Sequence, residues 1–204
     1  MFAGSGLACV RGERLVFRDL DFTVAPGEAL LLQGPNGAGK SSLLRLAAGL
    51  LKPAAGALRW NGAPVDADPD AHRARLSYVG HLDAIKPTLS ARENLAFWSR
   101  LGGGPAAVGP ALDAMGLAQL ADVRSQFLSA GEKRRLNLAR LAASPAPLWL
   151  LDEPTVSLDQ ASVARFTELA RAHLAKGGLI MAATHLALDL PGRALALSAG
   201  ARAA

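Results

Sequence analysis

The feature of this sequence that most constrains its fold is a glycine-rich octapeptide at 34–41. It reads GPNGAGKS and fits the pattern G-x-x-x-x-G-K-[ST]. It follows a short apolar run at 29–33 and precedes apolar residues at helical spacing over 40–51. A glycine-rich loop between a strand and a helix lets backbone N–H groups point at phosphate oxygens, and the helix N-terminus adds positive potential. The sequence therefore predicts a strand, a phosphate-binding loop and a helix.

Each residue of this loop has an expected task in holding a nucleoside triphosphate. The expected nucleotide-binding residues are Gly34, Pro35, Asn36, Gly37, Ala38, Gly39, Lys40, Ser41 and Ser42. Lys40 should neutralise the β and γ phosphates and so take part in catalysis, and the Ser41 hydroxyl should ligate Mg²⁺. The alternative is a glycine turn that happens to precede Lys-Ser, and the flanking strand and helix argue against it.

A pair of carboxylates after a second apolar run supplies the other half of the predicted site. The run at 148–151 is followed directly by Asp152 and Glu153. Asp152 is the candidate to hold Mg²⁺ through water, because this ion prefers hard oxygen ligands. Glu153 is the candidate catalytic residue that orients or deprotonates the attacking water. Alone, the pair would be better explained as a solvent-facing strand end, but beside a phosphate loop the catalytic interpretation is favoured.

The order of the apolar runs predicts an α/β fold with a P-loop NTPase core. The runs at 148–151 and 179–183 are separated by a helical pattern at 162–175, which indicates parallel strands in a mixed, largely parallel sheet. Shorter runs predict an N-terminal antiparallel β subdomain, at 7–10, 15–17, 20–24 and 57–60. The turn pair Asn61-Gly62 should close the last of these strands.

The residue pattern from about 82 to 145 indicates a helical insertion subdomain within one domain that spans 1–204. Ser90 and Glu93 form a capping box that should open a helix through Leu101. A glycine-rich break at 102–105 precedes a second helical pattern around 106–115. The single domain follows from the length, since 204 residues allow one core of this class but hardly two.

Composition excludes several classes of protein. The 22 basic and 17 acidic residues give a formal charge of +5 and are scattered, so a nucleic-acid partner is not expected. The single cysteine, Cys9, cannot form an internal disulfide, which fits a reducing compartment. No apolar run approaches the roughly 18 residues that span a bilayer. We therefore expect any transport role to depend on a membrane partner.

Three further motifs follow the loop in a characteristic order. These are LSAGE at 128–132, Ser157-Leu158-Asp159 after the carboxylate pair, and Thr184-His185 after the apolar run at 179–183. With the loop and the carboxylates, the series resembles the ABC (ATP-binding cassette) ATPase family, whose signature at the first of these positions is LSGGQ. The resemblance covers nearly the whole chain.

The resemblance implies roles that no single motif would establish. It implies a second anion site that faces a γ-phosphate held by another copy of the chain, formed by Ser129, Ala130, Gly131 and Glu132. Two copies would then clasp two ATP molecules between them. It also implies that His185 is catalytic and reaches the γ-phosphate and the attacking water. Asp159 would contact the partner copy's phosphate loop and couple the two sites.

The sequence departs from the family pattern at two positions. His81 stands where the family usually has a glutamine that contacts Mg²⁺; imidazole suits this hard ion poorly, so we expect coupling to the membrane partner rather than metal ligation. Arg11 stands where the family stacks an aromatic ring on adenine. Its planar guanidinium either stacks on the base or is a solvated strand charge, and both interpretations stay open.

A narrower resemblance is to the ATP-binding subunits of the bacterial cytochrome c maturation exporter, also called the heme exporter. It rests on segments at 78–81, 85–86, 89–97, 128–131 and 134–135. It implies a peripheral protein on the cytoplasmic face of the inner membrane, joined to separate integral membrane subunits. ATP use would be linked to heme handling. Direct heme binding is not expected, because no histidine lies in a C-x-x-C-H context.

Two other classes of function compete with a transport ATPase. A soluble ABC regulator of translation or DNA repair would resemble fused cassettes or carry long coiled-coil insertions, and this sequence has neither. A small-molecule kinase could use the same phosphate loop. It would, however, leave the motif at 128–132 without a purpose.

Overall fold

The computed structural model describes residues 1–102, 107–144, 146–185 and 188–198. Within these residues the strands are β1 (Phe2–Arg11), β2 (Arg14–Val24), β3 (Ala29–Gln33), β4 (Ala55–Trp60), β5 (Ala63–Pro64), β6 (Leu76–Val79), β7 (Leu148–Asp152), β8 (Leu179–Ala183) and β9 (Gly192–Ala196). The α-helices are α1 (Lys40–Ala47), α2 (Pro69–Ala74), α3 (Ala91–Leu101), α4 (Val108–Ala114), α5 (Ala130–Ala143) and α6 (Gln160–Ala175). The predicted α/β class is confirmed.

The N-terminal strands form an antiparallel sheet of their own, in the order β2-β1-β4-β5. The predicted runs at 15–17 and 20–24 belong to one strand, β2, which continues through Asp19 although that residue has a φ of 50°. The predicted turn between β4 and β5 is present, with positive φ at both Asn61 (48°) and Gly62 (87°), as a tight two-residue hairpin requires.

The second sheet has the order β6-β7-β8-β3-β9, and its described pairings are all parallel. The predicted strands β3, β7 and β8 are present, and every residue of β7 and β8 is buried. This explains why their sequences are apolar throughout, since parallel strands covered on both faces have no solvent side. β9 was not predicted, because its sequence, GRALA, is mostly exposed and carries no long apolar run.

Two hydrophobic cores lie on opposite faces of the parallel sheet. Alternate residues of β7 point into different cores, with Trp149 and Leu151 in one and Leu148 and Leu150 in the other. The first core contains the buried faces of α3 to α6, and the second contains α1 and the antiparallel sheet. The parallel sheet is therefore the layer that joins the helical part of the chain to the antiparallel part.

The helices agree with the sequence patterns except at their ends. α1 ends at Ala47 rather than near residue 51, because the chain leaves the helix at Gly49, which has a φ of 69°. α3 opens with the predicted capping box, in which Ser90 N donates to Glu93 Oε2 at 2.8 Å and Glu93 N donates to Ser90 Oγ at 3.2 Å. The short helix α2 was not predicted.

The predicted insertion at about 82–145 corresponds to a helical excursion between β6 and β7. These strands are neighbours in the sheet, and α3, α4 and α5 lie between them in the sequence. Gly103, Gly104, Pro105 and Ala106 of the predicted break, and Pro145 at the predicted boundary, lie outside the described residues. Over the ranges that the structure describes, no helix is both long and apolar enough to cross a membrane.

A half-buried histidine, His173, makes the stability of this fold depend on pH. The His173 ring on α6 stacks on Trp149 of β7 with centroids 3.8 Å apart, and burial lowers the pKa of His173 below its ordinary value of 6.5. Between these two pKa values the unfolded chain binds more protons than the folded one. The stabilising contribution is therefore complete above pH 6.5 and declines as the pH falls towards the folded-state pKa.

We predict that the free energy of unfolding decreases on acidification below about pH 6.5, and that His173→Phe reduces this decrease by removing the titrating group. Denaturant unfolding of the parent protein and of His173→Phe at a series of pH values around 6.5 measures how the free energy of unfolding changes with pH. The comparison uses the change with pH within each protein, so a uniform loss of stability in the variant does not affect it. Identical pH dependence in the two proteins would contradict the assignment.

Candidate functional site

A cavity of about 520 Å³ opens where β3 and β7 end. Its lining includes most of the predicted site residues, namely Arg11, Asn36, Gly37, Gly39, Lys40, Ser41, Ser42, His81, Asp152, Glu153 and His185. Carboxyl ends of parallel strands meet at one edge of a sheet, which is where α/β folds bind ligands. The cavity is thus built from the loops that follow neighbouring strands.

The glycine loop between β3 and α1 has the backbone that only glycine adopts easily. Gly34 has a φ of 143° and Gly39, the N-cap of α1, has a φ of 101°. A Cβ at Gly39 would lie 2.6 Å from a Val16 methyl group, and one at Gly34 would collide with the Leu197 carbonyl oxygen. The antiparallel sheet and the chain after β9 therefore press against this loop and fix its course.

Lys40 is held at the centre of the loop that it belongs to. Its Nζ donates to the carbonyl oxygens of Gly34 at 2.7 Å and Pro35 at 3.2 Å, and the residue is 7% exposed. A largely buried ammonium group needs such acceptors. The Lys40 ammonium group is thereby held inside the phosphate-binding loop, where a phosphate oxygen could replace a carbonyl oxygen as its hydrogen-bond acceptor.

The two predicted metal-binding residues meet across 111 positions of sequence. Ser41 Oγ donates to Asp152 Oδ1 at 2.9 Å, and Asp152 is 3% exposed. A hydroxyl and a carboxylate are the oxygen donors that Mg²⁺ accepts alongside water and phosphate. Among the described residues no group of three or more His, Cys, Asp or Glu side chains could hold a metal. The Ser41 hydroxyl and the Asp152 carboxylate would together offer Mg²⁺ the hard oxygen donors that it prefers.

Glu153 and His185 form the second polar pair of the cavity. His185 Nε2 lies 3.2 Å from Glu153 Oε1, so the predicted catalytic side chains are within reach of each other. Glu153 has a φ of 50°, which is uncommon for a residue with a side chain, and its N–H donates to the Ala183 carbonyl at 2.8 Å. This turn directs the chain away from the sheet immediately after the buried Asp152.

The residues of the signature motif lie outside this cavity. Ser129 caps α5 in a capping box, with Ser129 N donating to Glu132 Oε2 at 2.7 Å and Glu132 N donating to Ser129 Oγ at 3.2 Å. These bonds hold the pKa of Glu132 below its ordinary value. Ser129 and Ala130 are exposed and Gly131 is half-buried, and none of them lines the cavity that contains Lys40.

Asp159 also lies outside the cavity, at the start of α6. Its carboxylate accepts a hydrogen bond from Ser162 N at 2.8 Å, and hydrogen bonding to Ser162 lowers its pKa. A Cβ at Gly131 would lie 3.0 Å from the Ser157 carbonyl oxygen. The loop before Asp159 therefore packs against the signature helix. The coupling role of Asp159 stays a prediction.

Arg11 and His81 are both exposed at the cavity. Arg11 pairs with Arg14 across the turn between β1 and β2, and Arg14 also lines the cavity. This position is compatible with both base stacking and solvation of Arg11, so its role stays a prediction. The coupling role of His81 also stays a prediction. The other lining residues that the sequence did not indicate are Val16 and Val156, whose apolar character gave no signal for a phosphate site.

Comparison with known proteins adds an independent line of argument. The family model described as ABC transporter matches residues 17–156. The cytochrome c biogenesis ATP-binding export protein CcmA of Rhodospirillum rubrum is 60% identical over 193 residues, covering 94% of this chain and 83% of that protein. CcmA of Rhodopseudomonas palustris is 52% identical over 200 residues, covering 98% of each.

Solved structures share the fold. An ATP-binding subunit of an ABC transporter has a TM-score of 0.85 at 24% identity, covering 96% of this chain and 85% of that one. A dimeric ATP-binding cassette in a post-hydrolysis state, bound to ADP and Pi, has a TM-score of 0.84 at 23% identity, covering 97% and 94%.

We predict that Lys40→Ala weakens nucleoside triphosphate binding by roughly 10- to 100-fold, because charge-assisted hydrogen bonds contribute about 1.5–3 kcal/mol. Titration with MgATP measures the affinity. Lys52→Ala is the matched control, since Lys52 is an exposed lysine outside the cavity. Equal affinities in the two variants would remove Lys40 from the site.

Proposed function

Because this chain belongs to the ABC transporter family, we propose that it is the ATP-binding and ATP-hydrolysing subunit of an exporter that acts in cytochrome c biogenesis. The observation that carries the catalytic part is the meeting of two polar pairs in one cavity. Ser41 contacts Asp152, and Glu153 contacts His185, beside the cradled Lys40. Hydrolysis of a triphosphate needs a phosphate-binding loop, metal ligands and a group that handles water, and this cavity offers a candidate for each.

The chain's own residues divide this work. The loop backbone and Lys40 bind the β and γ phosphates and offset the charge of the transferred group. Ser41 and Asp152 would hold Mg²⁺, which neutralises phosphate charge when it is bound. Glu153 accepts a hydrogen bond from the attacking water and takes its proton. His185 contacts the Glu153 carboxylate and positions it relative to the γ-phosphate.

The outward-facing signature motif supports a dimeric mode of action. Ser129 accepts a hydrogen bond in its own capping box, and its hydroxyl proton remains available to donate. At the N-terminus of α5, the motif also offers positive potential to an anion. A second copy would place its γ-phosphate against Ser129 and Gly131, so each site needs both copies.

The export function requires partners in the membrane. The CcmA relatives are named as ATP-binding export proteins of cytochrome c biogenesis. These names support our proposal that the chain is peripheral to the cytoplasmic face of the bacterial inner membrane and drives separate integral membrane subunits. His81, which is exposed at the cavity beside the helical excursion, would report nucleotide state to them. The chain handles ATP, and heme is handled by those partners.

We predict that Glu153→Gln lowers ATP turnover by about 10² or more, because a positioned general base contributes 10²- to 10⁴-fold. The amide keeps the shape but cannot accept the proton, so MgATP should still bind and the ATP-bound dimer should accumulate. Steady-state hydrolysis and size-exclusion chromatography with MgATP measure the two effects.

The matched control is Glu168→Gln, which alters an exposed carboxylate on α6 and should leave both measurements unchanged. Adding Ser129→Arg to the Glu153→Gln chain should abolish the dimer by blocking the motif that receives the second nucleotide. A Glu153→Gln chain with full turnover, or a dimer that survives Ser129→Arg, would overturn the proposed arrangement.

A further prediction concerns the membrane partners. Detergent extracts of cells expressing the tagged chain should yield integral membrane proteins of the cytochrome c biogenesis exporter on affinity purification. Glu153→Gln with MgATP should retain them. Recovery of ribosomal or DNA-repair proteins instead would favour a soluble regulator and overturn the export assignment.

A further inference from the structure

Arg134, one turn inside α5, is a buried arginine whose five N–H donors all have acceptors. The residue is 4% exposed. Its Nε donates to the Pro154 carbonyl at 3.2 Å, and one terminal nitrogen donates to the carbonyls of Asp152 at 3.0 Å and Glu153 at 2.6 Å. The other donates to the Gly80 carbonyl at 3.0 Å and to Asp83 Oδ1 at 3.0 Å. A guanidinium group has five such protons, so its fork is fully used.

The first three of these bonds surround the backbone of Glu153, the proposed catalytic residue. They go to successive carbonyls at 152, 153 and 154, which bracket the left-handed turn at Glu153. A residue with a side chain adopts this conformation at a cost and keeps it only when its surroundings impose it. Arg134 supplies that constraint from one side, and the Glu153 N–H bond to Ala183 supplies it from the other.

The remaining two bonds reach the loop that carries His81. Gly80, which accepts one of them, directly precedes His81, and Asp83 follows two residues after it. Asp83 also accepts from Asn137 Nδ2 at 3.0 Å, one helical turn beyond Arg134 on α5. A single guanidinium group therefore ties the loop after β6 to the loop after β7, and both loops line the cavity.

Charge and shape together favour an arginine at this position. A buried cation is costly unless it is paired and hydrogen-bonded, and the Asp83 carboxylate, 28% exposed, provides the pairing. Lysine would keep the charge, but its three donors cannot serve five acceptors in one plane. The site thus depends on the shape of the guanidinium fork as well as on its charge.

The geometry points to Arg134 as a positioning residue for hydrolysis, which holds the Glu153 carboxylate in register with the loop of His81. The inference rests on the proposed function, since it takes Glu153 as the group that handles the attacking water. Arg134 is not among the residues that line the cavity and acts through backbone carbonyls. Its loss should therefore lower kcat while leaving the affinity for MgATP nearly intact.

The test compares Arg134→Lys with Arg135→Lys in the full-length chain. Arg135 lies on the same helix and also donates to backbone carbonyls, those of Met115 and Gly116, but these lie away from Glu153. We expect Arg134→Lys to lower kcat by roughly 10- to 100-fold, since a misplacement of about 1 Å costs up to 10²-fold. MgATP affinity should stay within a few-fold of the parent protein, and Arg135→Lys should retain its kcat.

Rescue separates positioning from general destabilisation. Ethylguanidinium added to Arg134→Ala should restore part of kcat, whereas ethylammonium at the same concentration should not, because only the planar fork matches the acceptors. If the Arg134 variants do not fold, Asp83→Asn removes the counter-charge at a partly exposed position and should lower kcat less than Glu153→Gln does, again without a matching loss of affinity.

The Glu153→Gln chain, measured in parallel, keeps the two proposals apart. If Glu153→Gln stalls turnover but Arg134→Lys retains kcat, the positioning role is wrong and the proposed function stands. If Glu153→Gln itself keeps full turnover, the proposed role of Glu153 is wrong, and the positioning role of Arg134 is wrong with it. A fall in kcat of Arg134→Lys that matches its loss of affinity, without guanidinium rescue, would also overturn the positioning role.

Discussion

The hydrogen bond between Ser41 and Asp152 is the interaction on which the site depends. It joins the first turn of α1 to the end of β7, although β8 lies between β7 and β3 in the sheet. The contact can form only because the strands run parallel and end at one edge, so that the loops after them converge. The apolar residues of β7 and β8 are buried on both faces of that sheet and thereby fix the edge at which the candidate site lies.

Much of this arrangement could be predicted from the sequence, because the strongest patterns coincide with the strongest physical constraints. β3 and β8 have the predicted bounds, since a short apolar run between turn residues leaves little freedom. The predicted capping box at Ser90 consists of local bonds between residues three positions apart, so spacing alone indicates it. The end of α1 was placed too late because helical spacing continues through Gly49, where the backbone turns left-handed.

What the sequence could not predict are the bonds between distant segments. Arg134 was noticeable only as part of a family-like segment, and nothing local shows that its acceptors lie at Gly80 and at 152–154. Similarly, β9 is recognisable only once β3 offers an unpaired edge for it. Both features depend on tertiary proximity, which spacing along the chain does not encode. The roles assigned to Arg11, His81 and Asp159 remain predictions, because they concern a bound nucleotide or a partner.

One of the two edge strands of the parallel sheet, β9, has a consequence for self-association. In the part of the chain that the structure describes, β9 ends the sheet, begins with a glycine and carries Arg193, which donates to Glu28 Oε1 at 2.8 Å. Short, charged borders of this kind resist the addition of strands from other molecules and the fibrous growth that follows. Association of copies of the chain through the backbone of β9, the step that would start such growth at this edge, is thereby disfavoured.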